Sequence, residues 1–326
     1  MGDGSSVVAG TGHGTHWTSD VTSTGRNLYG VHLFPDEEGW IVGDGGTILT
    51  SRSGGRWTPQ RSGTSANLYS VSPAGRDTAW AVGRGGTVLA TSDAGTTWRR
   101  QESPSGKDLL EVHVRPDART AWAVGDRGTI LVTGDGGATW THQKPPRTDC
   151  ILWAVDFADD RTGWAVGTGG AIFATEDGGA SWHAQDSGGV DDLIDVHAVD
   201  PHSVWAVGHR GTIVSTVDGG GTWERRDSGT RQNFTAVHFD AHGRVGRVVG
   251  RSDTALVSYD SGATWQVTTT GTGMSLWNVR VLTQSRAWIV GDEGTVISTH
   301  DGGRTWTPHL YSPEKDAGSR RAARPA

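Results

Sequence analysis

Seven imidazole and carboxylate side chains recur at matched positions of one repeated segment, and together they could support metal or acid–base chemistry. The segment reads Leu-x-x-Val-x-x, with Phe leading one copy, and its third and fifth positions are mostly polar. In chain order these pairs are Gly30 and His32, Ser70 and Ser72, Glu111 and His113, Ala154 and Asp156, Asp195 and His197, Ala236 and His238, then Asn278 and Arg280. A zinc-type site would need three or four of the imidazole and carboxylate groups within ~2.0–2.2 Å of one point. Chemistry without a metal would need a histidine and a carboxylate working as acid and base. His113, His197 and His238 are therefore the candidate metal ligands, and with Glu111, Asp156 and Asp195 the candidate catalytic groups. His32, Asn278 and Arg280 are candidate ligand contacts. The competing reading is a hydrated polar lining whose histidines are hydrogen-bonded. No Gly-x-Ser-x-Gly elbow is present for a serine hydrolase.

The elements that must hold these residues follow from the tryptophans. Trp17, Trp57, Trp98, Trp140, Trp182, Trp223, Trp265 and Trp306 are spaced by 40, 41, 42, 42, 41, 42 and 41 residues, so one supersecondary unit is repeated along the chain. Seven complete units begin near Leu28, Leu68, Leu109, Leu152, Leu193, Phe234 and Leu276. Each contains four short strands: Leu-x-x-Val-x-x (A), Trp-x-Val-Gly (B), a Thr-Ile-Leu-like run (C), and a strand starting at the spaced tryptophan (D). Four strands per 40–45 residues, joined by Gly-rich turns, predict an all-β, seven-bladed propeller of four-stranded antiparallel blades. Strand A is innermost in such a fold, so its third and fifth side chains should rim the central channel.

The D-strand tryptophan closes a box of the form Thr-x-Asp-x-Gly-x-Thr-Trp. Its aspartates, Asp93, Asp135, Asp177, Asp218, Asp260 and Asp301, occupy one topological position, which argues for turn chemistry rather than calcium or carboxylate catalysis. The strand B tryptophans Trp40, Trp80, Trp122, Trp164, Trp205 and Trp288 are expected as core wedges. Trp153 and Trp277, at second positions of strand A, are likewise expected in the core, as are Tyr29 and Tyr69. Blade six departs from the pattern. Arg247 stands where the others have tryptophan, so it must snorkel, pair with an acid or meet a ligand, and Asp253 replaces a glycine. Blade one has Arg52 where the box expects aspartate.

Composition narrows the functional classes. A net charge of −7 and a pI near 6.0 disfavour nucleic acid as a partner, and no apolar run reaches the ~18 residues a spanning helix needs. Cys150 is the sole cysteine, which excludes an internal disulfide and a multi-cysteine zinc site. No signal peptide is visible, and residues 2–18 match only the second half of a unit, so the native start is read as missing or as an extra C–D hairpin beside the ring closure. The expected organisation is a single propeller domain over residues 1–311 with a disordered tail over 312–326.

The stretch from Trp122 to Trp140, Trp-Ala-Val-Gly-x-x-Gly-x-Ile-x-x-Thr-x-Asp-Gly-Gly-x-x-Trp, resembles the photosystem II assembly and stability factor family of Asp-box (BNR-type) propellers. The resemblance covers about residues 2–309 and is taken as that of a non-photosynthetic bacterial relative. It implies a seven-bladed fold and a non-catalytic scaffold that binds a protein or peptide, in the photosynthetic members through an arginine-rich surface. The first alternative is an enzyme of bacterial secondary metabolism, metal-dependent or relying on His and carboxylate groups, with a divalent metal or small molecule at the central channel. The second is a carbohydrate-binding propeller. A sialidase site would need an Arg-Ile-Pro motif and a nucleophilic tyrosine; the motif is absent, and the tyrosines are only Tyr29, Tyr69, Tyr259 and Tyr311. A monomer without nucleic-acid or membrane partners is expected.

Overall fold

The computed structural model describes residues 25–52 and 56–309. The expected N-terminal hairpin and C-terminal tail lie outside the described residues. Seven four-stranded sheets follow one another in chain order, each with its strands in sequence order A-B-C-D. The A strands are Leu28–Leu33, Leu68–Pro73, Leu109–Val114, Leu152–Phe157, Leu193–Ala198, Phe234–Phe239 and Leu276–Val281. All seven begin where the repeat predicts. Strand D begins one residue after the box tryptophan in blades two to seven and at Trp57 in blade one. No helix among the described residues is long and apolar enough to cross a membrane.

Each sheet has two apolar faces, so the cores form between blades rather than within them. The cluster closing the ring joins Leu28, Val31 and Trp57 of blade one to Trp288, Val290 and Val296 of blade seven. The strand B tryptophans are buried wedges, as their spacing implies. The fourth position of strand A is valine in every copy and is buried.

The Asp-box is a hydrogen-bonded turn. In blade three, Asp135 Oδ1 accepts the Thr139 N–H at 2.9 Å and the Thr133 hydroxyl at 2.8 Å, and Oδ2 accepts the Thr139 hydroxyl at 2.7 Å. The same set recurs around Asp93, Asp177, Asp218, Asp260 and Asp301. These donors hold the Asp135 carboxyl down at about 2.

Two features do not follow from the repeat spacing. Every A strand carries a β-bulge between its first and third positions, which re-aims the second side chain. A glutamine three residues after the box tryptophan also joins neighbouring blades. Gln60, Gln101, Gln143 and Gln185 accept the indole N–H of Trp98, Trp140, Trp182 and Trp223 at 3.0 Å. In three of them the amide also donates to the next blade's box backbone, at Ala94, Gly136 and Gly219.

Candidate functional site, a polarised central channel

An inner strand at a channel wall is an edge strand, and its inward N–H groups need partners. The third and fifth side chains supply them from one blade to the next. Ser70 and Ser72 accept the N–H groups of Val112 and Val114 at 3.4 and 3.2 Å. Glu111 accepts Val155 N–H at 3.2 Å, Asp156 accepts Ala198 N–H at 2.9 Å, and Asp195 accepts Val237 N–H at 2.8 Å. His238 Nδ1 accepts Val281 N–H at 3.3 Å. Polarity at these positions thus has a structural cause in blades two to six, which periodicity alone did not reveal.

The lining residues surround a cavity of about 420 Å³ that includes His32, Glu111, His113, Asp156, Asp195, His197, His238, Asn278 and Arg280. Ala154 and Ala236 are buried instead. Asp156 is the hub of one wall. His113 Nδ1 lies 3.0 Å from its Oδ1 and His197 Nδ1 3.3 Å from its Oδ2, and Phe157 N–H donates to Oδ1. Burial alone would raise this carboxyl, but the hydrogen bonds from the two imidazoles outweigh it and hold Asp156 well below the usual range. Its neighbours behave oppositely. Burial, reinforced by the Asp195 and Asp156 charges, pushes Glu111 well above the carboxylate range. Burial and Asp156 together raise Asp195 against two backbone N–H bonds.

The other wall carries the cation Arg280. Arg280 Nη2 lies 3.3 Å from His32 Nε2, and His238 stacks on His197 with ring centroids 4.3 Å apart. Burial, then the Arg280 charge, lowers both His32 and His238 well below the ordinary imidazole value. His113, His197 and His238 do not converge as metal ligands: among the described residues no group of three His, Cys, Asp or Glu side chains is placed to hold an ion. Two imidazoles face Asp156 and the third faces a backbone N–H, because adjacent blades offer those partners first.

Arg247 is buried beneath the neighbouring box turn, in the place of a strand B tryptophan. Its guanidinium lies 5.5 Å from the Trp306 ring and so close to Gly303 that a Cβ there would meet Nη1 at 2.7 Å. Burial lowers its pKa, with Tyr259 opposing the shift. It belongs to the blade six–seven packing rather than to the channel.

The bulged second positions form a separate feature. Tyr29, Tyr69, Leu110, Trp153, Ile194, Thr235 and Trp277 are all half-buried, N-terminal on their strands to the cavity-lining residues. The expected core placement of Tyr29, Tyr69, Trp153 and Trp277 is thus corrected: the bulge turns these side chains out of the blade interfaces. Tyr29 contacts both Tyr69 and Trp277, with centroids 5.6 and 5.7 Å apart. Their polar tips reach the B–C turns: Tyr29 hydroxyl donates to Asp44 at 2.9 Å and Trp277 indole to Asp292 at 2.5 Å.

A family model for the photosynthesis system II assembly factor YCF48 matches residues 51–150 and 189–274, more than half of the chain. The chain belongs to the YCF48 family. No curated protein sequence matches it. Among solved structures, a YCF48 bound to D1 peptide superposes with a TM-score of 0.71 at 19% identity, over 86% of this chain and 95% of that one. YCF48 from Cyanidioschyzon merolae gives 0.70 at 20%, over 87% and 98%. The GH74 enzyme of Niastella koreensis gives 0.73 at 15%, over 87% of this chain but 54% of the enzyme. At these identities the likeness is one of fold, shared by two YCF48 proteins and a GH74 enzyme alike.

Proposed function

We propose that this propeller is a non-catalytic scaffold that binds an extended peptide of a protein partner, with the Trp277–Tyr29–Tyr69 arc as its seat. The observation carrying this reading is that arc: three contiguous aromatic side chains, partly exposed where a register bulge that recurs in every blade turns them out of the core. Aromatic rings whose polar tips are tied to fixed turns lose little conformational freedom on binding and offer large apolar area, the pattern of interface anchors. Membership of the YCF48 family, one member of which is solved with a D1 peptide, supports a peptide as the occupant. The acid–base alternative is weakened because Glu111, Asp156 and Asp195 each already accept backbone N–H groups that the ring needs paired.

The test is binding of a synthetic D1 peptide, and of a displayed random-peptide library, to the wild-type chain and to a Tyr29→Ala/Trp277→Ala variant. Enrichment of apolar-rich peptides that disappears in the folded variant is expected. Equal enrichment on both proteins would move the site elsewhere.

A further inference from the structure

Arg280 is a cation inside the channel that, among the described residues, no carboxylate contacts directly. Among the described residues its one hydrogen-bonding contact is His32 Nε2 at 3.3 Å, and no ion pair forms at it although it lines the cavity. Desolvation lowers its pKa only to about 10, so it stays charged at neutral pH. A desolvated charge needs a compensating partner. The Asp156 charge acts on Arg280 from a distance and partly offsets the desolvation, but its carboxylate oxygens are already engaged by His113, His197 and two backbone N–H groups.

The neighbours of Arg280 present donors as well. His32 uses Nε2 as the acceptor toward Arg280, so its neutral ring carries the proton on Nδ1. His238 uses Nδ1 as the acceptor from Val281 N–H, which leaves the proton on Nε2. The Asn278 amide lines the same cavity one alternate position along the strand. We propose that the cavity wall formed by Arg280, His32, His238 and Asn278 is a binding site for a carboxylate, held by the guanidinium fork and the neutral imidazole N–H groups. A planar oxyanion fits this set because the fork donates two parallel N–H groups, which a spherical ion cannot take up together. The carboxylate belongs either to a free small acid or to the C-terminus of a peptide entering the channel. The site lies beyond the aromatic arc and does not depend on it.

The experiment is calorimetric titration of the wild-type chain with sodium acetate, sodium chloride at equal ionic strength, and a tripeptide with free or amidated C-terminus. Arginine side-chain ¹⁵N spectra are recorded in parallel. Saturable binding of acetate or the free tripeptide is expected, with a shifted arginine resonance, no binding of the amidated peptide, and at least tenfold weaker binding by Arg280→Gln. Acetate binding alone assigns a free acid; tripeptide binding alone assigns a chain terminus. An equal response to chloride, unchanged affinity in Arg280→Gln, or no saturable binding of either carboxylate overturns the proposal. Should Arg280→Gln fail to fold, the arginine resonances of the wild-type chain decide the question.

Discussion

Gln101 of blade two accepts the indole N–H of Trp140 in blade three at 3.0 Å, while its amide donates to Gly136 O of the same box turn. It also accepts the indole N–H of Trp80 within its own blade, at 3.1 Å. One side chain therefore satisfies three polar groups on two blades, two of them the indoles of the buried Trp80 and Trp140. Gln101→Ala is expected to destabilise the fold by about 1–3 kcal/mol, since leaving buried donors unpaired is what such a truncation costs. Urea unfolding with an unchanged m-value is the check.

The glutamine staple is missing where Arg226, Thr268 and His309 take the equivalent position. Among the described residues, the indoles it would hold, Trp265, Trp306 and Trp57, have no hydrogen-bond partner at Nε1. At the last boundary inside blade seven's reach, Tyr259 donates to Gly302 O at 2.9 Å in place of the missing amide. Arg226→Gln is expected to raise stability by about 0.5–1 kcal/mol by supplying an acceptor to Trp265, the lost bond to Ser215 being the offset. A lowered urea midpoint would show that the staple does not transfer to this boundary.

Asp156 gathers donors from three successive blades. Asp156→Ala is expected to cost about 3 kcal/mol, because it leaves two imidazoles and two backbone N–H groups without their acceptor. Its depressed folded pKa means that this contribution is present above the unfolded value of about 4 and is lost as pH falls below it. The gap between wild-type and variant stabilities should therefore narrow in acid without closing, read from urea midpoints between pH 7 and pH 3.

Glu111 and Asp195 carry the opposite sign. Their folded pKa values lie above the unfolded value of about 4, so their contribution is complete below that value and is lost as pH rises through the folded one. Asp195→Asn abolishes one of these titrations. Whatever its offset at pH 5, the variant should gain on the wild type as pH is raised to 9. A parallel pair of profiles would mean that Asp195 is ionised in the folded protein.

The box aspartates are expected to ignore calcium. Both oxygens of Asp135 already accept from Thr133 and Thr139, so neither chelator nor added Ca²⁺ should shift the melting temperature. Asp135→Ala should lower it. A calcium-dependent shift abolished by that substitution would reassign the turn as a cation site.

Blade number, strand starts and the buried B-strand tryptophans were legible in the sequence because each depends on spacing that every copy shares. The channel residues were legible for the same reason. Their partners were not, since Glu111 meets Val155 and Asp195 meets Val237 across blade boundaries more than forty residues apart. The bulge at Tyr29 and Trp277 leaves no mark on hydrophobic periodicity, so these residues read as core. Gln101 was visible as a recurrent letter, but nothing in the repeat alone said that it reaches into the next blade.

A peptide seated on the bulged aromatic arc must shield the strands that carry it. The most direct measurement is hydrogen–deuterium exchange of the wild-type chain with and without a library-selected peptide, beside its affinity for Tyr29→Ala/Trp277→Ala. Protection confined to the segments around Tyr29, Tyr69 and Trp277, with at least a tenfold loss of affinity in the folded variant, is expected. Protection on the outer D strands with affinity unchanged would contradict it.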